Sequence, residues 1–108
     1  MISRIVDCNI RNDKLHDFTA TLDNKFLPRL KSQPGFVDVI ESLDPQSGHF
    51  LCMTLWRSQD DVDRYDKGLF QEVAKHLTPL LTEPPKVETM NVENSSIHRI
   101  EHGRAQAA

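Results

Sequence analysis

The sequence predicts an α+β fold in which helices cover one face of a four-stranded antiparallel sheet. The chain has 108 residues, which fits one domain and leaves no room for a second core. Four short segments have the alternation or composition of strands, and two longer segments carry apolar residues at helical spacing. Hydrophobic residues make up 38% and charged residues 27% of the chain, so we expect one small core built from amphipathic elements.

The first strand is predicted from Ile2 to Ile10, where apolar and mixed positions alternate. The apolar set is Val6, Cys8 and Ile10, and the mixed set is Ile5, Asp7 and Asn9.

A long amphipathic helix is predicted after this strand. Its apolar residues recur at steps of three and four: Leu15, Phe18, Leu22, Phe26 and Leu30. Pro28 lacks an N–H and clashes with the preceding turn, so we expect the helix to kink near Asn24 or to restart at Pro28. The sequence QPG at residues 33–35 ends it.

A hairpin follows, because two strand-like segments flank a turn. Residues 36–43 and 50–56 are rich in apolar and β-branched side chains, and the sequence DPQSG at residues 44–48 is typical of a turn. We therefore predict that strands two and three pair antiparallel.

Sequence signals mark where the second helical segment starts, where it is interrupted and where it ends. Ser58 and Asp61 have the spacing of a capping box, and Gly68 separates a short helix from a longer one. The longer helix carries Phe70, Val73, Leu77 and Leu81 at helical spacing. The sequence EPP at residues 83–85 ends it.

Residues 87–92 alternate again and form the fourth predicted strand. The resulting order, βαββαβ, is that of ferredoxin-like folds. We expect a domain over residues 2–93 and a polar C-terminal tail over residues 94–108. The tail either is free or docks across a partner subunit through Ile97 and Ile100.

The predicted strands are apolar on both faces, and helices can cover only one of them. We expect Leu51, Met53 and Leu55 of strand three to build core together with Val73 and Leu77. The second face needs another cover, and a second copy of the same chain provides it. We therefore predict a homodimer with an isologous interface.

Charge and hydropathy exclude several partners. The 13 basic and 16 acidic residues are spread along the chain, so a nucleic acid is not expected to bind. Apolar runs are far shorter than the ~18 residues that cross a bilayer, so no membrane contact is expected and we predict a cytoplasmic location. Cys8 and Cys52 lie in strand-like segments and are interpreted as small buried hydrophobic residues.

No catalytic or metal motif is present among the patterns expected for phosphate, dinucleotide, zinc or serine-hydrolase sites. Candidate site residues therefore come from position. Trp56 ends strand three, Tyr65 lies on the short helix, and His76 lies late in the longer helix, where it could act as an acid or base. Asp7 and Asn9 are the polar groups of strand one that we expect to face a cavity.

Metal binding is not predicted. His98 and His102 have a four-residue spacing, but they lie in the polar tail, so we interpret them as solvated.

One segment resembles a known family. The sequence LWRSQDDVDRYDKGLF, residues 55–70, is similar to the part of the antibiotic biosynthesis monooxygenase (ABM) superfamily in which a strand ends in tryptophan and a serine-capped acidic helix follows. Residues 32–50 and 81–93 resemble that family's hairpin and last strand. The resemblance covers residues 2–93.

The resemblance implies a dimeric α+β barrel with a pocket between sheet and helices in each subunit. It also implies a cofactor-independent monooxygenase that acts with O₂ on a small aromatic, polyketide-like or quinol substrate. Trp56 would orient the substrate, Tyr65 would stand where relatives place a histidine or tyrosine, and Phe70 and Val73 are predicted to contact the ligand.

Two alternatives remain open at this point. A non-catalytic ligand-binding or structural dimer also fits, because apolar walls with few polar anchors describe a binding pocket equally well. The haem-degrading branch of the family ranks lower. Asn9 matches the asparagine of that branch, but Ala74 occupies the position of its axial histidine, and His76 lies two residues or ~200 degrees around the helix.

Overall fold

A computed structural model describes residues 1–105 of the chain. Four strands form its main sheet: β1 (Ile2–Asn9), β2 (Phe36–Leu43), β3 (His49–Trp56) and β4 (Lys86–Asn91). The strand order is β2-β3-β1-β4, and every pairing is antiparallel. The predicted ferredoxin-like α+β fold is therefore confirmed.

Two helical segments connect the strands. The helices are α1 (Leu15–Thr21), α2 (Leu27–Lys31), α3 (Gln59–Lys67) and α4 (Leu69–Leu77). Short 3₁₀ turns at Asn12–Lys14 and Thr78–Leu80 precede α1 and follow α4. No helix within residues 1–105 is long and apolar enough to cross a membrane.

Pro28 divides the first helical segment as predicted. Because its ring nitrogen carries no hydrogen, it cannot donate to the carbonyl one turn earlier. The chain forms a π-helical turn at Leu22–Phe26 instead, and α2 begins at Leu27 with Pro28 in its first turn. Phe26 and Leu30 remain buried on the side that faces the sheet.

The register of β3 decides which residues face the helices. Phe50 lies opposite Cys8 and Cys52 opposite Val6, so these residues of β1 and β3 share the face that packs on the helices. Trp56 is the last residue of this set. The expectation that Leu51 and Met53 build the core is therefore wrong, because they point to the other side of the sheet, which we call the outer face.

The outer face is partly covered by the C-terminal segment of the same chain. Strands β5 (Ile100–Glu101) and β6 (Arg104–Ala105) form a small hairpin, and Ile100 is buried. His98 lies 3.2 Å from Asp38 of β2. Leu55, on this face, is also buried, whereas Ile97 is exposed. The tail up to residue 105 thus folds onto its own chain; residues 106–108, also part of the predicted tail, lie outside the described residues.

Candidate active site

An apolar cavity lies between the helices and the sheet. Its volume is about 70 Å³, which is below the ~300–1,000 Å³ of typical small-molecule sites, and one side of it is open to solvent. Its floor comes from β1 and β3, and its walls come from the helical segments. The aromatic residues of the lining are Phe18, Phe50, Tyr65 and Phe70.

The second helical segment supplies the wall that the sequence predicted. The Ser58 hydroxyl accepts a hydrogen bond from the Asp61 amide at 3.2 Å, so Ser58 caps the helix as predicted. The Asp61 carboxylate accepts from the Ser58 hydroxyl at 2.8 Å rather than from the Ser58 amide, so only the first half of the predicted capping box is confirmed. Helix α3 then carries Tyr65 to the cavity. Helix α3 ends before Gly68, and α4, which begins after it, presents Phe70 and Val73 to the same cavity.

The tyrosine and the two cysteines of the wall are held neutral. Burial raises the pKa of Tyr65 to about 12 and that of Cys8 to about 11. Burial, with a smaller contribution from Glu41, raises the pKa of Cys52 to about 12. Both cysteines are free thiols. At neutral pH these residues offer weak hydrogen-bond donors and no base.

Within residues 1–105, Arg4 is the one charged side chain of the lining, and the sequence interpretation missed it. It is only 2% exposed, and its Nε–H donates to Asp66 Oδ1 at 2.8 Å. The guanidinium carbon lies 4.1 Å from the ring centre of Phe70 and 5.1 Å from that of Tyr65. A signal was available, because Arg4 belongs to the same alternating set as Val6 and Cys8 and is the only charged residue in it.

Of the seven predicted site residues, the structure brings three to the cavity: Tyr65, Phe70 and Val73. The other four, Trp56, His76, Asp7 and Asn9, lie elsewhere.

Trp56 lies behind the wall of the cavity. It is 0% exposed, it stacks on Tyr65 with ring centres 4.9 Å apart, and its edge meets Phe36. Its indole N–H donates to the Thr54 hydroxyl at 2.8 Å. Tyr65 and Thr54 both line the cavity, so Trp56 supports two wall residues without lining the cavity itself.

His76 is exposed on the outside of α4. Its Nε2 lies 3.0 Å from the Lys25 ammonium group, and its Nδ1 lies 2.9 Å from the Glu72 carbonyl oxygen. Ala74, two residues earlier, lines the cavity. The helical rotation therefore separates His76 from the cavity, and the structure provides no contact by which it could act there.

Asp7 and Asn9 do not reach the apolar cavity. They line a separate polar groove together with His49, Glu83 and Lys86. The Asp7 carboxylate lies 2.7 Å from the His49 ring, and both side chains are about half exposed. Because successive residues of a strand point to opposite faces, the side chains of Asp7 and Val6 cannot serve the same site.

The lining of the cavity does not fit haem. Among the described residues the lining contains no histidine, and the position from which α4 could present one is Ala74. Within residues 1–105, no group of three or more histidine, cysteine or acidic side chains is arranged to hold a metal ion.

The sequence matches no protein-family model and no curated protein. Solved structures, however, match the architecture described above. A candidate antibiotic biosynthesis monooxygenase from Bordetella bronchiseptica is 21% identical with a TM-score of 0.71, over 84% of this chain and 95% of that one. The chain has the fold of the antibiotic biosynthesis monooxygenases.

Two further structures with the ABM fold carry more specific descriptions. The ActVA-Orf6 monooxygenase of Streptomyces coelicolor, in complex with nanaomycin D, is 16% identical with a TM-score of 0.73, over 87% of this chain and 88% of that one. SnoaB, a cofactor-independent oxygenase from Streptomyces nogalater, is 14% identical with a TM-score of 0.69, over 88% of this chain and 95% of that one. At these identities the likeness establishes the ABM fold and leaves activity to the chemistry of the cavity.

Proposed function

We propose that this protein is a cofactor-independent monooxygenase of the ABM superfamily that oxidises a small aromatic, polyketide-like or quinol substrate with O₂. The observation that carries the proposal is the cavity itself, in which aromatic walls surround a single buried guanidinium. Aromatic side chains accommodate a flat ring, and the cation favours an ionised, electron-rich form of that ring. Two solved proteins with this fold are described as a monooxygenase and as a cofactor-independent oxygenase.

The reaction draws its electrons from the substrate. In an anthrone-type substrate, loss of a proton from the ring methylene gives an electron-rich anion that reacts with O₂. One oxygen atom becomes the new ketone oxygen, and the other leaves as water with the two methylene hydrogens. Tyr65, Cys8 and Cys52 are already protonated at pH 7 and cannot accept this proton, so it passes to solvent at the open side of the cavity.

Each wall residue has a defined part in this proposal. Tyr65 and Phe70 hold the ring, and Val73 closes the apolar side. The Tyr65 hydroxyl remains protonated and can donate a hydrogen bond to a substrate oxygen. Trp56 acts as a positioning residue, because it fixes the Tyr65 ring by stacking.

The proposed assembly is a homodimer that joins two outer faces. Ile40 is 55% exposed and Met90 is 49% exposed, both on the outer face, and Ile5, Leu51 and Met53 lie half-buried between them. Burying this apolar strip against a second copy would remove it from water. Light scattering at micromolar concentration should give twice the mass of one chain, and Ile40→Lys should shift it to one; wild-type protein with the mass of a single chain would reject the dimer.

The function is tested by oxygen uptake. Metal-stripped protein is mixed with anthrones, dihydroxynaphthalenes and quinols under ¹⁸O₂, and the product is analysed by mass spectrometry. We expect uptake with one labelled oxygen in the product, and at least a tenfold slower rate for Tyr65→Phe, which lacks the hydroxyl donor. His76→Gln, measured in parallel, decides the role that the sequence predicted for that histidine; the exposed position predicts an unchanged rate.

A binding measurement separates catalysis from simple ligand binding. Trp56 is the only tryptophan and stacks on a wall residue, so its fluorescence should respond when the cavity is occupied. Quenching without any uptake across the panel would reject the monooxygenase and leave a non-catalytic binding protein.

A further inference from the structure

Arg4 occupies an unusual position for a charged residue. It lies in the middle of β1 on the face that packs against the helices, between Ile2 and Val6 of the same alternating set. Only 2% of its surface is accessible to solvent, and it lines the apolar cavity. Arginine is rarely buried to this extent unless its charge is paired with an opposite charge.

Within residues 1–105, most N–H groups of the Arg4 guanidinium have no hydrogen-bond acceptor. Among the described residues, its hydrogen-bond partner is Asp66, which accepts from Nε–H alone. The Asp66 side chain is 40% exposed, so its carboxylate also faces water. A guanidinium carries five N–H groups, and the four on the two Nη atoms have no acceptor within residues 1–105.

The guanidinium is also held in place before any ligand arrives. Phe70 and Tyr65 contact it at 4.1 and 5.1 Å from their ring centres, and Asp66 fixes the Nε end. A side chain already restricted in this way loses little further entropy on binding. Because the walls are apolar, an opposite charge beside Arg4 is screened less than it would be in water.

We infer that Arg4 makes the cavity selective for aromatic ligands that carry an ionised oxygen, and that its Nη groups bind this oxygen. The inference deepens the proposed function in that it rests on the same cavity and names the class of substrate. Phenolates, enolates and carboxylates on an aromatic ring share the required oxyanion. A phenol or enol bound there ionises at a lower pH than it does free in water, because the cation stabilises its anion.

The test uses three nitroaromatic probes that differ in one group: 4-nitrophenol, 4-nitrobenzoate and 4-nitroanisole. Binding is measured by quenching of Trp56 fluorescence at pH 8 without oxygen, so turnover cannot contribute. We expect 4-nitrophenolate to bind about 10- to 100-fold more tightly than neutral 4-nitroanisole, as for a charge-assisted hydrogen bond. The visible absorbance of bound 4-nitrophenol should show ionisation at a lower pH than in buffer. The 4-nitrobenzoate arm shows whether the preferred oxyanion is a phenolate or a carboxylate.

Variants separate recognition from folding. Arg4→Met keeps the length and apolar stem of the side chain and should remove both the preference and the ionisation shift. Arg4→Lys keeps the positive charge but lacks the planar guanidinium. It should retain the ionisation shift of 4-nitrophenol and bind that probe more weakly. Arg29→Met is the matched control, since Arg29 is a surface arginine paired with Glu72 outside the cavity. It should behave as wild type, and circular dichroism confirms that each variant is folded.

Should Arg4→Met fail to fold, Arg4→Lys and the wild-type preference still decide the question. Equal affinity of the wild type for all three probes, no binding of any of them, or an unchanged preference in folded Arg4→Met would overturn the inference. A preference for the anions without oxygen uptake would reject only the proposed oxygenase. Uptake that is unaffected by Arg4→Met would reject only the role of Arg4.

Discussion

Replacing Trp56 by phenylalanine tests the finding that this residue supports the cavity wall from behind. The smaller ring leaves a void of ~40 Å³ in a fully buried site, which costs about 1 kcal/mol at ~24 cal/mol per Å³. The lost apolar transfer contributes ~0.5–1 kcal/mol, and loss of the hydrogen bond to Thr54 contributes ~1 kcal/mol. We therefore expect Trp56→Phe to lower the free energy of unfolding by about 2 to 3 kcal/mol.

Urea unfolding followed by circular dichroism measures this loss. With a slope of about 1–2 kcal/mol per molar urea, the midpoint should fall by about 1 to 3 M. Ligand affinity, measured by calorimetry because the fluorophore is gone, should change less than about threefold, since the stacked partner Tyr65 keeps an aromatic neighbour.

A double-mutant cycle isolates the hydrogen bond. Thr54→Val alone leaves the buried indole N–H without an acceptor, which costs about 1–3 kcal/mol, whereas in the Trp56→Phe background it should be nearly neutral. A stability loss below about 0.5 kcal/mol together with a tenfold weaker affinity would refute the reasoning. Trp56 would then contact the ligand, as the sequence analysis predicted.

Three further predictions concern the cavity, the sheet and the tail. Ala74→Leu fills part of the cavity and should weaken binding of 4-nitrophenol at least tenfold while the protein stays folded; unchanged affinity would place the site elsewhere. Burial and then the nearby Asp23 raise the pKa of Glu41 from its ordinary 4.5 to about 7. The stability gained from protonated Glu41 is fully present below pH 4.5 and is lost as the pH rises through 7, so Glu41→Gln should flatten the fall in melting temperature between these values. Truncation after Asn94 removes buried Ile100 and should lower stability by ~2 kcal/mol in urea unfolding, whereas no change would show that the tail is dispensable.

Much of the fold could be predicted from the sequence, because local periodicity, helix caps and helix-breaking residues specify it. The alternation in β1, the break at Pro28 and the helix cap at Ser58 each act within a few residues of where they stand. Helical spacing and the break at Gly68 placed Tyr65 and Phe70 on the two helices of the second segment, whereas their contact with a ligand was implied by the resemblance to the ABM family.

The rest of the candidate site could not be predicted from local pattern. His76 and Trp56 have side chains that suit catalysis, but α4 turns the first to solvent and the sheet register buries the second behind Tyr65. Arg4 was overlooked because a single arginine in a strand usually faces water. Its burial depends on Asp66, which lies 62 positions along the chain.

The sequence by itself determined the order of strands and helices, the single small core and the apolar character of both sheet faces. Only the tertiary structure decided which face of β3 meets the helices, because both of its alternating sets are apolar and the pairing with β1 alone sets the register. It also decided that Arg4 lies in the cavity and that the tail up to residue 105 folds back onto the outer face. These outcomes depend on contacts between residues distant in the chain, which periodicity does not encode.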